Sequence, residues 1–135
     1  EALEGMATYL ATGKISKDEL NKLEVIFYNE IKDIKEGNKV ISGRQAFPYG
    51  IQLHKLILEA SNNRFILEMH KTLKYQVERL IIYSQGFGRY ERALDEHYNI
   101  IMALLEGDAK KAEHKMREHI KNVAKDLIND TFIDI

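Results

Sequence analysis

Five histidines and no cysteine restrict the metal ligands of this chain to imidazole and carboxylate, and exclude disulfides, thiolate nucleophiles and sulfur-bound zinc or iron. His97 stands in "ALDEHYNII", with Ala93, Leu94, Ile100 and Ile101 three or four positions away. On a helix those neighbours share its face, so His97 points inward. A buried imidazole needs a partner for each ring nitrogen or it costs free energy. Either an ordinary carbonyl, carboxylate or water satisfies it, or it is a ligand. His54, with Ile51, Ile57 and Leu58, and His119, with Met116, Ile120 and Val123, fall in apolar stripes of two further helices. His114 lies off the His119 face and reads as solvated. His70 sits beside Met69 and Leu73, which leaves its place in a polar cluster open. Three inward imidazoles, if the fold gathers them, make a site for zinc or a similar divalent ion with one position free.

The elements that must gather them are helices. One proline and long runs of period 3.6 predict an all-α antiparallel bundle of about six. The first covers about residues 1 to 12 and ends at "TGKIS". Ser16 opens the second in a capping box with Glu19, and Leu20, Leu23, Ile26, Phe27 and Ile31 form its inward stripe. Residues 37 to 47 hold two glycines and no stripe, so they read as a loop. Pro48 suits the first turn of a third helix, which ends at "SNN", where Asn62 is placed to cap the next. The fourth, about 63 to 84, carries Ile66, Met69, His70, Leu73, Val77, Leu80 and Ile81. "QGFG" interrupts it before a fifth helix from Arg89 to Leu105. Gly107 closes the fifth and Asp108 caps the sixth, whose face is Ala112, Met116, His119, Ile120, Val123 and Leu127.

A length of 135 residues with 44% hydrophobic content suits one core, so residues 1–135 are expected to form a single domain. Twenty basic against 21 acidic residues leave no positive excess to draw the chain onto nucleic acid. No apolar run approaches the ~20 residues of a membrane span and the first residues are no signal peptide, which fits a cytoplasmic protein. The sequence begins at Glu1 inside an amphipathic pattern of Ala2, Leu3, Met6, Ala7 and Leu10, with no cap before it. A natural N-terminal part is therefore expected ahead of it.

Other chemistries fit less well. The Glu-x-x-His signature of di-iron bundles needs a glutamate three residues before each histidine, and Ile51, Leu94 and Met116 stand there. No HExxH pair, phosphate-binding loop or nucleophile elbow occurs. A hydrolase using zinc-bound water would need a general base. Glu96 adjoins His97, but successive helical residues diverge by about 100°, which turns it away, and no other acidic residue falls on an inward stripe.

The segments "ALEGMATYLA", "LHKLILEASNNRFI" and "RALDEHYNIIMALLEGDAKKAEHKMREHI" resemble the effector-binding domain, or FCD domain, of FadR-type GntR transcription regulators. The third is the most specific, with Glu-His, an apolar pair, Gly-Asp, an alanine and a closing Met-Arg-x-His in the family's order. The resemblance implies a helical bundle that senses a small carboxylate metabolite, forms homodimers and sits behind a winged helix-turn-helix, here absent, through which alone DNA is bound. It implies no catalysis and no membrane. It also implies a divalent metal, zinc or nickel foremost, held by three histidines and one aspartate. The histidine positions correspond to His54, His97 and His119. The aspartate position, one turn before His54, is Gly50, so one oxygen ligand is vacant and room is left for a ligand; either the three histidines still hold the ion or the pocket works without metal, as in some members of the family. For the effector carboxylate, Arg79 and Arg92 are the candidate cationic partners, with Tyr49, Gln52 and Tyr83 as further hydrogen-bonding groups. Two rival readings are a metal-dependent hydrolase and a purely structural dimerisation module with packed histidines.

Overall fold

The computed structural model describes the backbone of residues 1–41, 47–83 and 89–133, and the side chains of these except 75–83, 127 and 129–133. Among the described residues there are six helices and no strand: α1 (Ala2–Ala11), α2 (Lys17–Lys35), α3 (Pro48–Ala60), α4 (Arg64–Tyr83), α5 (Arg89–Glu106) and α6 (Ala109–Ile133). The all-α bundle expected from the periodicity is thus the observed one.

The termini follow local chemistry. Ser16 Oγ accepts from the Glu19 N–H at 3.2 Å and opens α2, and Asp108 accepts from the Lys111 N–H at 3.0 Å to open α6. Gly107 takes φ 74°, which lets α5 stop and α6 turn back beside it after two residues. At "SNN" the roles differ from expectation. Asn62 adopts φ 51° and turns the chain, while Asn63 is the cap, accepting from the Ile66 N–H at 3.1 Å. Either asparagine can cap by composition; only Asn62 is needed for the left-handed turn between two helices so close together.

α5 lies between α2 and α6, and α1 packs on α6 and α3. The core is built from Leu20, Leu23 and Phe27 of α2, Leu53, Ile57 and Leu58 of α3, Leu94, Ile100, Ile101 and Leu104 of α5, and Ala112 and Met116 of α6. α1 contributes Gly5, Ala7, Thr8 and Ala11, a face of small residues. That face permits close approach: a Cβ on Gly5 would stand 2.8 Å from Arg117 of α6. Two inward assignments fail here. Met6 and Ile51 are about half exposed, because the buried face of α1 is the small one and that of α3 runs through Leu53. α4 differs too. Ile66 is buried, but Met69 and Leu73 are 41% and 38% exposed, so its stripe is only partly covered. Val77, Leu80, Ile81 and Leu127 lie outside the described side chains, as do the "QGFG" residues and residues 42–46 of the 37–47 loop.

Candidate metal centre

His54 of α3, His97 of α5 and His119 of α6 come together in the bundle interior. Each offers a ring nitrogen, and those three atoms lie within 4.8 Å of one another. The His97 and His119 ring centroids are 4.4 Å apart, those of His54 and His97 5.1 Å, and those of His54 and His119 5.3 Å. Phe27 closes the apolar side, edge-on to His97 with centroids 5.7 Å apart. His70 is half-buried on α4 and outside this cluster, and His114 is exposed beside Glu118 at 3.1 Å.

Two carboxylates stand behind the rings. Glu4 Oε2 accepts from His54 Nδ1–H at 2.8 Å, and Glu96 Oε2 accepts from His119 Nδ1–H at 3.0 Å. A carboxylate accepts only, so in the neutral rings both protons sit on Nδ1 and both Nε2 atoms carry lone pairs. His54 Nε2 meets His97 Nε2 at 3.0 Å. His97 Nδ1 is buried without any partner among the described residues.

The sequence reading missed both carboxylates. Glu4 is three, four and seven residues before Ala7, Thr8 and Ala11, so it belongs to the small-residue face of α1, a signal obscured by searching for large apolar side chains. Glu96 does diverge from His97, but its flank of α5 faces α6, and the glutamate is long enough to cross to His119. It is held there by Arg89, whose Nη2 donates to both Glu96 oxygens at 2.5 and 2.6 Å while Nη1 donates to Asp126 at 2.6 Å. Arg89 is 1% exposed and lies one heptad before Glu96 on the inward side of α5.

The other candidates are placed differently. Arg92 is on the surface, bonded to Asp126 at 3.1 Å, so the buried guanidinium of this region belongs to Arg89 instead. Tyr49 is exposed and packs on Phe47 with centroids 5.3 Å apart. Gln52 faces a surface groove of about 440 Å³ with Glu19, Lys22, Lys55 and Glu59, away from the three rings. The side chains of Arg79 and Tyr83 lie outside the described residues. Gly50 does adjoin the cluster, yet its side-chain space is filled. A Cβ there would be 2.9 Å from Cε1 and 3.2 Å from Nδ1 of His97. Gly50 is the seat of the His97 ring, not an opening for a larger ligand.

That seat gives a prediction. Gly50→Ala should improve helix propensity by about 1 kcal/mol, but its methyl must push His97 aside. We expect metal affinity to fall by about tenfold or more, in the range seen when a ligand's support is disturbed, measured by competition with a chelator. Unchanged affinity with a raised melting temperature would mean that the ring has room to spare.

Charge follows from this packing. Burial lowers the pKa of His97 well below its usual value, and the charges of His119, His54 and Arg89 push the same way. Burial also lowers His119, outweighing the pull of Glu96. For His54 burial is opposed by Glu4, whose carboxylate wins and raises it. Burial would raise Glu4, but its contact with His54 prevails and holds it at about 2. Hydrogen bonds from His119 and Arg89 likewise overcome burial and keep Glu96 low.

The donor set fits a divalent ion. Nitrogens bound at about 2.0–2.1 Å to tetrahedral zinc stand roughly 3.3 Å apart, a spacing within reach of these three. Metal-bound histidines commonly give their other N–H to a carboxylate, as His54 and His119 do. His97 turns its Nε2 to within 3.0 Å of His54 Nε2, a close approach of two imidazole nitrogens that a shared cation would favour.

The fold and site thus define an all-helical domain with a candidate metal centre in its core. Residues 1–122 match the family model of the FCD domain, and the chain belongs to that family of regulatory ligand-binding domains. No curated protein and no solved structure matches it. Among the described residues no helix is long and apolar enough to cross a membrane.

Proposed function

We propose that this chain is the ligand-sensing domain of a FadR-type GntR regulator in the bacterial cytoplasm. It acts as a single domain within a homodimer and controls a DNA-binding domain that precedes it. His54, His97 and His119 hold a divalent ion, zinc or nickel, and a small carboxylate effector enters beside it. The ion would supply a Lewis-acidic point for an effector oxygen. Glu4 and Glu96 hold two of the rings so that their Nε2 atoms face inward, and Phe27 keeps water from one side. Effector binding then biases the placement of helices, and so of the attached DNA-binding domains. The observation that carries this reading is the convergence of three imidazoles, His97 and His119 buried and His54 half-buried, with a carboxylate behind two of them.

Among the described residues, the two carboxylates behind the rings suit a hydrolase poorly. Glu4, at about 2, and Glu96, held low by His119 and Arg89, are both poor proton acceptors near neutral pH. The test is thermal melting of chelator-treated protein with zinc or nickel, then with metabolite acids. Ligand at 1,000 times its dissociation constant stabilises by about 4 kcal/mol, a shift His119→Ala should erase. No shift with either metal would sink the metal site; turnover of an added ester would favour the enzyme.

A further inference from the structure

The two outer carboxylates are anchored differently. Glu96 is fixed by Arg89, which also grips Asp126, so its position is set by α5 and α6 whatever the histidines do. Among the described residues, the Glu4 carboxylate has His54 as its one hydrogen-bonding partner, at 2.8 Å. It stands in the first turn of α1, which is otherwise held on α6 and α3 by its small side chains, by Leu3 and Leu10 at the edge of the core, and by the exposed pair of Glu1 and Lys121 at 3.5 Å. Position 50 of α3 can offer no carboxylate, and its side-chain space is occupied by His97.

From this juxtaposition we infer that Glu4 is a positioning residue which supplies the metal centre's anionic partner from α1 and ties the seating of α1 to occupancy of the three histidines. The inference rests on the metal reading above. Glu4 fixes the proton of His54 on Nδ1 and raises the basicity of Nε2. A cation at Nε2 makes the Nδ1–H a stronger donor, so its bond to Glu4 tightens and α1 is drawn onto α3. A filled site therefore holds α1 more firmly than an empty one. α1 is the helix through which a preceding domain would be joined.

The experiment compares wild type, Glu4→Gln and Glu4→Ala in zinc affinity by chelator competition, in the visible spectrum of the cobalt(II)-loaded protein, and in hydrogen exchange of residues 2–11. Glutamine still accepts from Nδ1 but carries no charge, and keeps the fold testable if alanine does not. We expect zinc affinity to drop between 10- and 100-fold in Glu4→Ala and by a smaller factor in Glu4→Gln, with a shifted cobalt spectrum. Zinc should slow exchange in α1 of the wild type and much less in Glu4→Gln. Equal affinity and equal α1 protection in wild type and Glu4→Gln overturn this inference while leaving the metal site standing. A lower metal-free melting temperature with unchanged affinity makes Glu4 purely structural and overturns it too. A wild type that takes up no zinc, nickel or cobalt overturns both readings together.

Discussion

Arg89→Met should cost about 3–5 kcal/mol of stability, the range for removing one partner of a buried ion pair. Arg89 is fully enclosed and its two nitrogens serve two mostly buried carboxylates on different helices, Glu96 on α5 and Asp126 on α6. Methionine fills much of the volume but removes the buried positive charge, leaving Glu96 to His119 and Asn122, and Asp126 to the exposed Arg92. At roughly 3 °C per kcal/mol for a domain of this size, the melting temperature should fall by about 10–15 °C. Arg89→Met combined with Glu96→Gln and Asp126→Asn should recover much of the loss, because the stranded charges are gone. Arg89 also holds Glu96 against His119, so the single variant should weaken metal binding. A loss under about 1 kcal/mol would place the cluster with ordinary surface ion pairs.

The metal-free protein should lose stability steeply on the acid side. His97 and His119 have folded pKa values below their unfolded value of 6.5, so below that pH the unfolded chain takes up protons that the folded chain refuses. Each such group contributes up to about 1.4 kcal/mol per pH unit, hence about 2.7 for the two. His54 works in the opposite sense. Its raised pKa gives stability fully present below 6.5 and lost as pH rises through the folded value, so it does not offset the acid slope. Glu4 stabilises above its unfolded 4.5, and that contribution is lost as pH falls towards about 2. Urea unfolding between pH 7.5 and 5 checks the slope. A flat profile would show that the rings accept protons freely and are not enclosed as described.

Much of this molecule is legible in its sequence, and the parts that are not share a cause. Helix number and termini follow from period 3.6, Pro48, Gly107 and the caps at Ser16 and Asp108, because these are local effects. The inward faces of His54, His97 and His119 follow from the same period. What escapes is lateral reach between helices. Glu96 is off the His97 face, yet α6 lies on that flank and receives it. Glu4 hides on a face made of Gly5, Thr8 and Ala11, where the usual search for large apolar residues has nothing to find. Among the described residues the buried guanidinium is Arg89 rather than Arg92, and nothing in spacing alone separates these two arginines, which share Asp126. Gly50 illustrates the same limit: a missing side chain looks like an opening until a neighbouring helix is seen to fill it.

That glycine also bears on how such a site can change over generations. If an ancestral centre had an aspartate at position 50, reverting Gly50 in one step would drive the new side chain into His97 before any oxygen could bind an ion. The imidazole would have to shift to admit it. While the ring keeps that seat, the negative charge beside the histidines comes from other helices, Glu4 on α1 and Glu96 on α5.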